Sequence, residues 1–391
     1  MQIRLRELSL LPCGLMMVFA LQASIVPLAI EMPMASYGIL ALMLMCSVVA
    51  LYFIVRQRTI TRTDLIVIFF LTFIALSSFA HGTDGIHWVY VGFSVCLIRF
   101  TFNFYQHHLT PLIVGLTLGF SVSVFLQLYQ LVTQPDLWMI AENKEVTVYI
   151  LGGNYNQMGS RLLVAMVLNL LCTRISKLFY ILLVPTVISC IAIPLMVGSM
   201  TAATSILLFL LMCLIPWPRL RRMGIVALLV FVALFQLLVC FNGKGIENSD
   251  LAVWFVEDVL GKDITFTNRT HMWDSALRII VDSPLWGYGF PDKDWYLTHM
   301  SSFAIGPHNV MLAMLIYGGV VTFAIYLYIL VRSILQAAGV RGYGADVLLS
   351  GIAIISLMQL MEVYSVPIIF ALFLLAEYYP QLHSQLAPPD E

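Results

Sequence analysis

The sequence predicts an all-α polytopic membrane protein of about twelve transmembrane helices, with one large loop inserted late in the chain. Three observations carry this. Of 391 residues, 61% are hydrophobic and only 10% charged, with a mean hydropathy of +0.93, so the bilayer rather than water must be the main solvent. Apolar runs close to the roughly 20 residues of a spanning helix recur along most of the chain. Lysine and arginine return at every second short connection, the alternation expected of a chain threading back and forth.

The runs fall near residues 8–29, 33–55, 65–80, 88–106, 109–133, 159–173, 178–198, 201–217, 223–241, 309–331, 347–364 and 366–379. The sixth and the last two are short or interrupted, which tilt or local thinning accommodates. The first run is too long for a signal-peptide core and is expected to remain as a membrane helix. Basic residues cluster at Arg4 and Arg6, at Arg56, Arg58 and Arg62, at Arg174 and Lys177, at Arg219, Arg221 and Arg222, and at Arg332 and Arg341. The connections around Glu31, His81 to His87, Ser199 and Pro367 have none. Both termini are therefore expected in the cytoplasm, which requires an even number of spans.

That topology puts two longer segments outside, 134–158 and 242–307. The second holds nine acidic residues and Trp254, Trp273, Trp286 and Trp295. Disordered segments seldom carry such aromatics, so residues 242–307 are expected to form an ordered outer subdomain between spans nine and ten, inserted in a single membrane domain of residues 1–391. A net charge of −1 without a long basic tract excludes nucleic acid as a partner. The seven cysteines lie in apolar runs and read as packing residues. His107-His108 lacks the cysteine or acidic companions of a metal site. Asp292-Lys293-Asp294 reads as a solvated turn.

Within the outer loop, "TNRTHMWDSALRIIVDSPLWGYG" reads as a capped amphipathic helix ending in a turn. Thr267 or Asn268 can cap it, and Trp273, Ala276, Leu277 and Ile280 form its apolar stripe. Ser283-Pro284 stops it, and Gly287 and Gly289 permit tight turns. Arg269 in the first turn adds positive charge to an already positive helix end, an arrangement that suits an anionic ligand. Its alternative reading is an ion pair with Glu257, Asp258 or Asp263.

His308 opens the tenth span, with Asn309 after it. It reads either as a helix cap or as a proton acceptor at the outer rim of the bilayer, because imidazole titrates near neutrality. Gly318-Gly319 further on allows close helix packing. Glu362, near the outer end of the eleventh span, is a costly intramembrane carboxylate of the kind that tends to be functional, unless it snorkels. Transporters are expected to carry paired charges deep in their spans and to show two repeated halves. Here the polar residues concentrate in the outer loop and no internal repeat is visible.

"NRTHMWDSALRIIVDSPLWGYGF" followed by "PHNVMLAMLIYGGVVTF" resembles the C-terminal signature shared by bacterial O-antigen ligases and Wzy-type O-antigen polymerases. There an arginine opens an amphipathic outer helix, a P-x-x-G-x-G turn follows, and a His-Asn pair starts the next span before Gly-Gly. "GGNYNQMGSRLLVAM" looks like the family's Asn- and Gly-bearing start of a middle helix.

The resemblance implies a GT-C-type membrane glycosyltransferase of the bacterial inner membrane, acting on its periplasmic face without metal or other cofactor. It implies transfer of a glycan from undecaprenyl pyrophosphate to a sugar hydroxyl, with Arg269 on the pyrophosphate and His308 activating the acceptor. Arg161, Asn156, Asn309, Trp273 and Glu362 are the accompanying substrate-binding candidates. Besides the lipid-linked glycan and membrane lipids, a chain-length regulator and a flippase are the candidate partners.

One departure bears on the reaction. Where the family usually places an arginine after span seven, this chain reads "GSMTAATS" with Met200 at that position. The expectation is therefore a polysaccharide polymerase, with a ligase acting on lipid A–core as the alternative and a lipid-linked oligosaccharide transporter as the rival of a different class. Arg161, at the start of the sixth span, is the expected second cation in place of Met200; its other reading is a charge snorkelling to the headgroups.

Overall fold

In the computed structural model the described residues are 10–22, 60–133, 138–141, 144–147, 149, 151, 155–259, 268–300 and 306–386, with isolated positions 41, 45, 48 and 52. The expected second span, 33–55, lies almost wholly outside them. Helices dominate: α1 (Leu10–Gln22), α2 (Arg62–His81), α3 (Gly85–Phe104), α4 (Leu109–Thr133), α5 (Met158–Ile175), α6 (Tyr180–Met196), α7 (Met200–Leu214) and α8 (Pro218–Phe235). After the long loop come α9 (Arg269–Asp282), α10 (Lys293–His299), α11 (Val310–Ala338), α12 (Tyr343–Met358), α13 (Val366–Glu377) and α14 (Tyr379–Leu386). The segment between α4 and α5 adds what the sequence reading missed, a two-stranded antiparallel hairpin of β1 (Trp138–Ala141) and β2 (Lys144–Thr147).

Among the described residues seven helices are long and apolar enough to cross a membrane, or eight if α13 and α14, bent by 52°, form one span. α1, α7 and α12 are apolar but shorter. The chain is a multi-pass membrane protein. α8 and the wider turn that continues it to Cys240 show why: Val226, Val230, Leu234 and Leu238 are all exposed, a continuous apolar surface that water would not tolerate and lipid tails cover. α5, by contrast, is enclosed, packed by α4, α6, α7 and α12.

Two buried charge clusters lie at the end of the bundle where α2, α12 begin and α3, α13 finish. Asp64 of the α2 capping box accepts from Thr61 N–H at 2.7 Å, from Asn103 Nδ2 at 2.6 Å and from Arg99 Nε. Arg99 also donates to Glu377 at 3.0 Å, and Arg332 reaches the same carboxylate at 3.3 Å. Asp346 takes both Arg221 and Arg222, while Arg221 lies over the Tyr343 ring at 5.0 Å. These clusters add buried charge pairs inside the bundle to the polar residues expected to concentrate in the outer loop. Arginine and carboxylate can enter the helix bundle together because pairing and hydrogen bonding offset their desolvation.

Several features at the opposite end position the site. α9 stops at Asp282, as Ser283-Pro284 predicts, and buries Trp273, Ala276 and Ile280. Asn268 precedes it in the left-handed region (φ 65°) and makes no side-chain cap, so that half of the capping expectation is corrected; Thr267 lies outside the described residues. Asp292 is a cap rather than a merely solvated turn, accepting from Trp295 N–H at 2.8 Å.

The role expected of Gly318-Gly319 is also corrected in part. α11 breaks there, and Gly319 (φ 62°, ψ −157°) takes a conformation essentially reserved for glycine. The partners brought close are the 284–289 turn, against Gly319, and Phe73 of α2, against Gly318. Tyr288 N–H donates to Ile316 O at 2.7 Å, Gly289 N–H to Tyr317 O at 3.0 Å, and Val320 N–H to Pro284 O at 2.8 Å. The break frees these main-chain groups, and the turn satisfies them, as buried main-chain groups require. On its other side the turn is held by α2 and the α2–α3 connection: Ser77 Oγ donates to Trp286 O at 3.1 Å and Thr83 Oγ1 to Tyr288 O at 2.9 Å.

Candidate functional site

Asn309, the first half-helical residue before α11, sets the site. Its side-chain oxygen accepts from Leu312 N–H at 3.0 Å, capping the helix. Its amide nitrogen donates to Gln236 Oε1 at 2.8 Å and to Leu360 O at 3.2 Å, and Val310 N–H donates to Gln359 O at 3.1 Å. At Gln236 the end of α8 widens by one residue, with Phe241 N–H reaching back to Gln236 O, a distortion that aims the amide inward. Asn309 thus ties together the starts and ends of α8, α11 and α12. It is fully buried, so it holds the site rather than touching a ligand in this arrangement.

His308 is consequently not the cap. It sits just before it, in the left-handed region (φ 46°), a strained backbone for a non-glycine residue that the Asn309 and Val310 bonds enforce. From there its Nδ1 lies 3.2 Å from both carboxylate oxygens of Glu362. Glu362 also accepts from Val363 N–H at 3.1 Å. When Nδ1–H donates to that carboxylate, Nε2 is left as the acceptor, the tautomer a general base needs. Glu362 is nearly buried, which removes snorkelling as its explanation.

His308 and Glu362 line a cavity of about 360 Å³ together with Arg161, His87, Tyr296 and Tyr364. Arg161 is buried in this wall rather than extended to a surface. It stands in the first turn of α5, where the helix dipole adds to its own charge in favouring an anion. Arg269 approaches from the start of α9 by way of Tyr364. Arg269 is not itself among the residues lining the cavity; it interacts electrostatically with Tyr364, which is. Across the cavity, burial holds the Tyr296 phenol protonated well above its ordinary range.

The structure therefore gathers His308, Glu362 and Arg161 around one cavity, with Arg269 within electrostatic reach of Tyr364. Trp273 is fully buried in the packing of α9. Asn156 lies beside the cavity rather than among the residues lining it, accepting from Ser199 Oγ at 3.3 Å; its neighbour Gln157 does line it. Met200 is exposed at the start of α7, away from the cavity lining.

His87, Tyr296, Tyr364 and Gln236 were missed in the sequence. For Gln236 a signal existed, a lone amide in the apolar run "ALFQLLV". His87 carried none; its ring stacks on Phe290, the residue after the docked turn, centroids 5.4 Å apart and nearly parallel.

A nearly buried imidazole–carboxylate pair that shares a cavity with a guanidinium at a bundle end can take a proton from a hydroxyl while an anion leaves. Residues 184–327 match the O-antigen ligase family model. No curated protein matches the chain. His308 and Arg269 fall inside the matched stretch; Arg161 and Glu362 fall outside it.

Proposed function

We propose, from the match of residues 184–327 to the O-antigen ligase family model, that the chain is a polysaccharide polymerase of the bacterial inner membrane. The reading makes it a GT-C-type glycosyltransferase with twelve spans, both termini cytoplasmic, and residues 242–307 as a periplasmic subdomain. The growing glycan leaves its undecaprenyl pyrophosphate and moves onto an incoming lipid-linked repeat unit.

The acceptor hydroxyl gives its proton to Nε2 of His308, and its oxygen bonds to the anomeric carbon of the donor sugar. The bond from that carbon to the diphosphate oxygen breaks, and the electron pair departs with undecaprenyl pyrophosphate. Arg161 and Arg269 supply the positive charge for the departing group, and Glu362 stabilises the imidazolium. Asn309 acts through its neighbours, by fixing His308. The observation that carries this reading is the His308–Glu362 pair, 3.2 Å apart, in a cavity shared with Arg161.

Polymerase is preferred to ligase because Met200 occupies the position where the family places an arginine. The second reading, transfer to lipid A–core, is favoured by the description of the matched family as an O-antigen ligase. Purified protein incubated with synthetic lipid-linked repeat units alone separates them. Products of two or more repeats are expected; product that forms only when lipid A–core is supplied would establish the ligase. A chain-length regulator and a flippase are partners consistent with the first reading.

A further inference from the structure

We propose that a second chamber beside the reaction cavity is a subsite for one uncharged sugar ring of the lipid-linked glycan. The chamber has a volume of about 180 Å³ and lies between α1, α3, α5 and α13. It adjoins the reaction cavity: His87, Arg161, Ser365 and Pro367 line both. The inference rests on the glycosyl-transfer reading and assigns the part of the substrate that this space takes.

Past the shared wall the chemistry of the lining changes. Gln22 of α1 with Tyr90 and Ser94 of α3 contribute an amide, a phenol and a hydroxyl, while Phe19 and Ile368 contribute apolar surface. A diphosphate would require cations here, and the lining beyond Arg161 and His87 has no charge. A polyprenyl tail would require a lining free of hydrogen-bonding groups. Uncharged donors and acceptors around apolar side chains match a ring that has hydroxyls on its rim and C–H groups on its faces. The volume equals roughly six waters at about 30 Å³ each, the scale of one ring rather than of a chain.

The three polar groups are also held for such a task. Gln22 Nε2 donates to the Tyr90 hydroxyl, and Ser94 Oγ donates to Tyr90 O at 3.2 Å. The Gln22–Ser94 contacts, 3.4 and 3.5 Å, are long, so a ring hydroxyl can take their place at little cost. Burial in a membrane bundle makes an unmade hydrogen bond expensive, and that expense is what discriminates between sugars. The competing explanation is that these residues merely join α1 to α3, as polar groups between membrane helices often do.

The ring could belong to the donor, next to its diphosphate, or to the acceptor. The test uses full-length purified protein, a synthetic donor blocked at its acceptor hydroxyl, and a separate lipid-linked acceptor. Each is made intact and with single hydroxyls replaced by hydrogen. Wild type is expected to discriminate against one analogue by about tenfold or more in kcat/KM. In Gln22→Leu and Ser94→Ala that discrimination should shrink towards unity, with KM for the intact unit raised about 3–10-fold and kcat nearly unchanged.

Whether the discriminated analogue is a donor or an acceptor identifies the ring. Equal losses on intact and deoxy units in both variants, with thermal unfolding lowered in step, would reduce the three residues to a helix joint and overturn the subsite. Wild type that makes no product from any lipid-linked unit would instead overturn the glycosyl-transfer reading, and the subsite with it.

Discussion

Nδ1 of His308 stands 3.2 Å from both carboxylate oxygens of Glu362, a partner 54 residues further along the chain. Neither helix could create this contact alone. It exists because Asn309 caps α11 while its amide grips Leu360 O, and because Val310 N–H binds Gln359 O. Those bonds bring the segment after α12 alongside the start of α11, with the imidazole and carboxylate at the same level.

His308→Ala is expected to lower turnover by about 10²–10⁴, the usual contribution of a positioned general base. Binding of a lipid-linked donor should hardly change. Near-normal polymer from this variant, measured by gel analysis of labelled product, would show that the ring serves the fold and not the reaction.

Glu362→Gln keeps the size and one acceptor but loses the charge that steadies the protonated ring. About a tenfold or larger fall in kcat with little change in KM is expected, the pattern of an interaction that strengthens in the transition state. A rise in KM alone would reassign Glu362 to substrate binding.

Arg269→Lys keeps a positive charge but gives up the planar, bidentate contact that guanidinium makes with phosphate oxygens. Activity should fall severalfold or more, and Arg161→Ala should fall further because Met200 provides no cation to compensate. A donor-analogue complex gives the independent check: both guanidinium groups should lie within about 8–10 Å of the pyrophosphate, one Debye length in physiological salt. An active Arg269→Lys enzyme would mark that residue as a structural ion pair.

Gly319→Ala should destabilise the protein by about 1–3 kcal/mol, the cost of a side chain in a conformation reserved for glycine, and steric conflict adds to it. A Cβ at this position would come within 2.4 Å of Pro284 O. The expected signature is a lower unfolding temperature and loss of the 284–289 turn from its dock, read as faster proteolysis between α9 and α10. Unchanged stability would mean that the turn does not depend on the break in α11.

Asp346→Asn leaves two arginines, one of them buried, facing a neutral amide. Breaking such a pair costs about 3–5 kcal/mol, so a large fall in unfolding temperature and yield is expected. Protein that does fold should keep its KM for lipid-linked substrate, because this cluster lies at the end of the bundle opposite the cavity. A selective KM effect at normal stability would contradict that separation.

Much of the site was legible because its chemistry clashes with its surroundings. Arg269 in a positive helix turn, His308 at a span boundary and Glu362 within an apolar run each violate a local preference, and such violations can be read from one dimension. The extents of α9, α3 and α4 follow the sequence for the same reason, since capping, proline and apolar length are local. The fate of Gly318-Gly319 was not legible. Two glycines permit either close helix packing or a break, and only the arrival of the 284–289 turn, with its unsatisfied N–H groups, selects the break.

The sequence by itself determined that the chain lives in a membrane, and it places a long aromatic-bearing segment between the middle and late apolar runs, with a histidine and arginines near the ends of those runs. These conclusions depend on composition, period and neighbouring residues. Tertiary structure alone decided that Glu362 pairs with His308, that Arg161 is buried in their cavity while Asn309 and Trp273 are buried in packing outside its lining, and that Asp64, Glu377 and Asp346 take arginines within the bundle. The physical reason is the range of the interactions. Hydrophobic burial and capping act over a few residues of chain, whereas a hydrogen bond or ion pair acts over about three ångströms of space, and which residues share that space depends on how every helix packs.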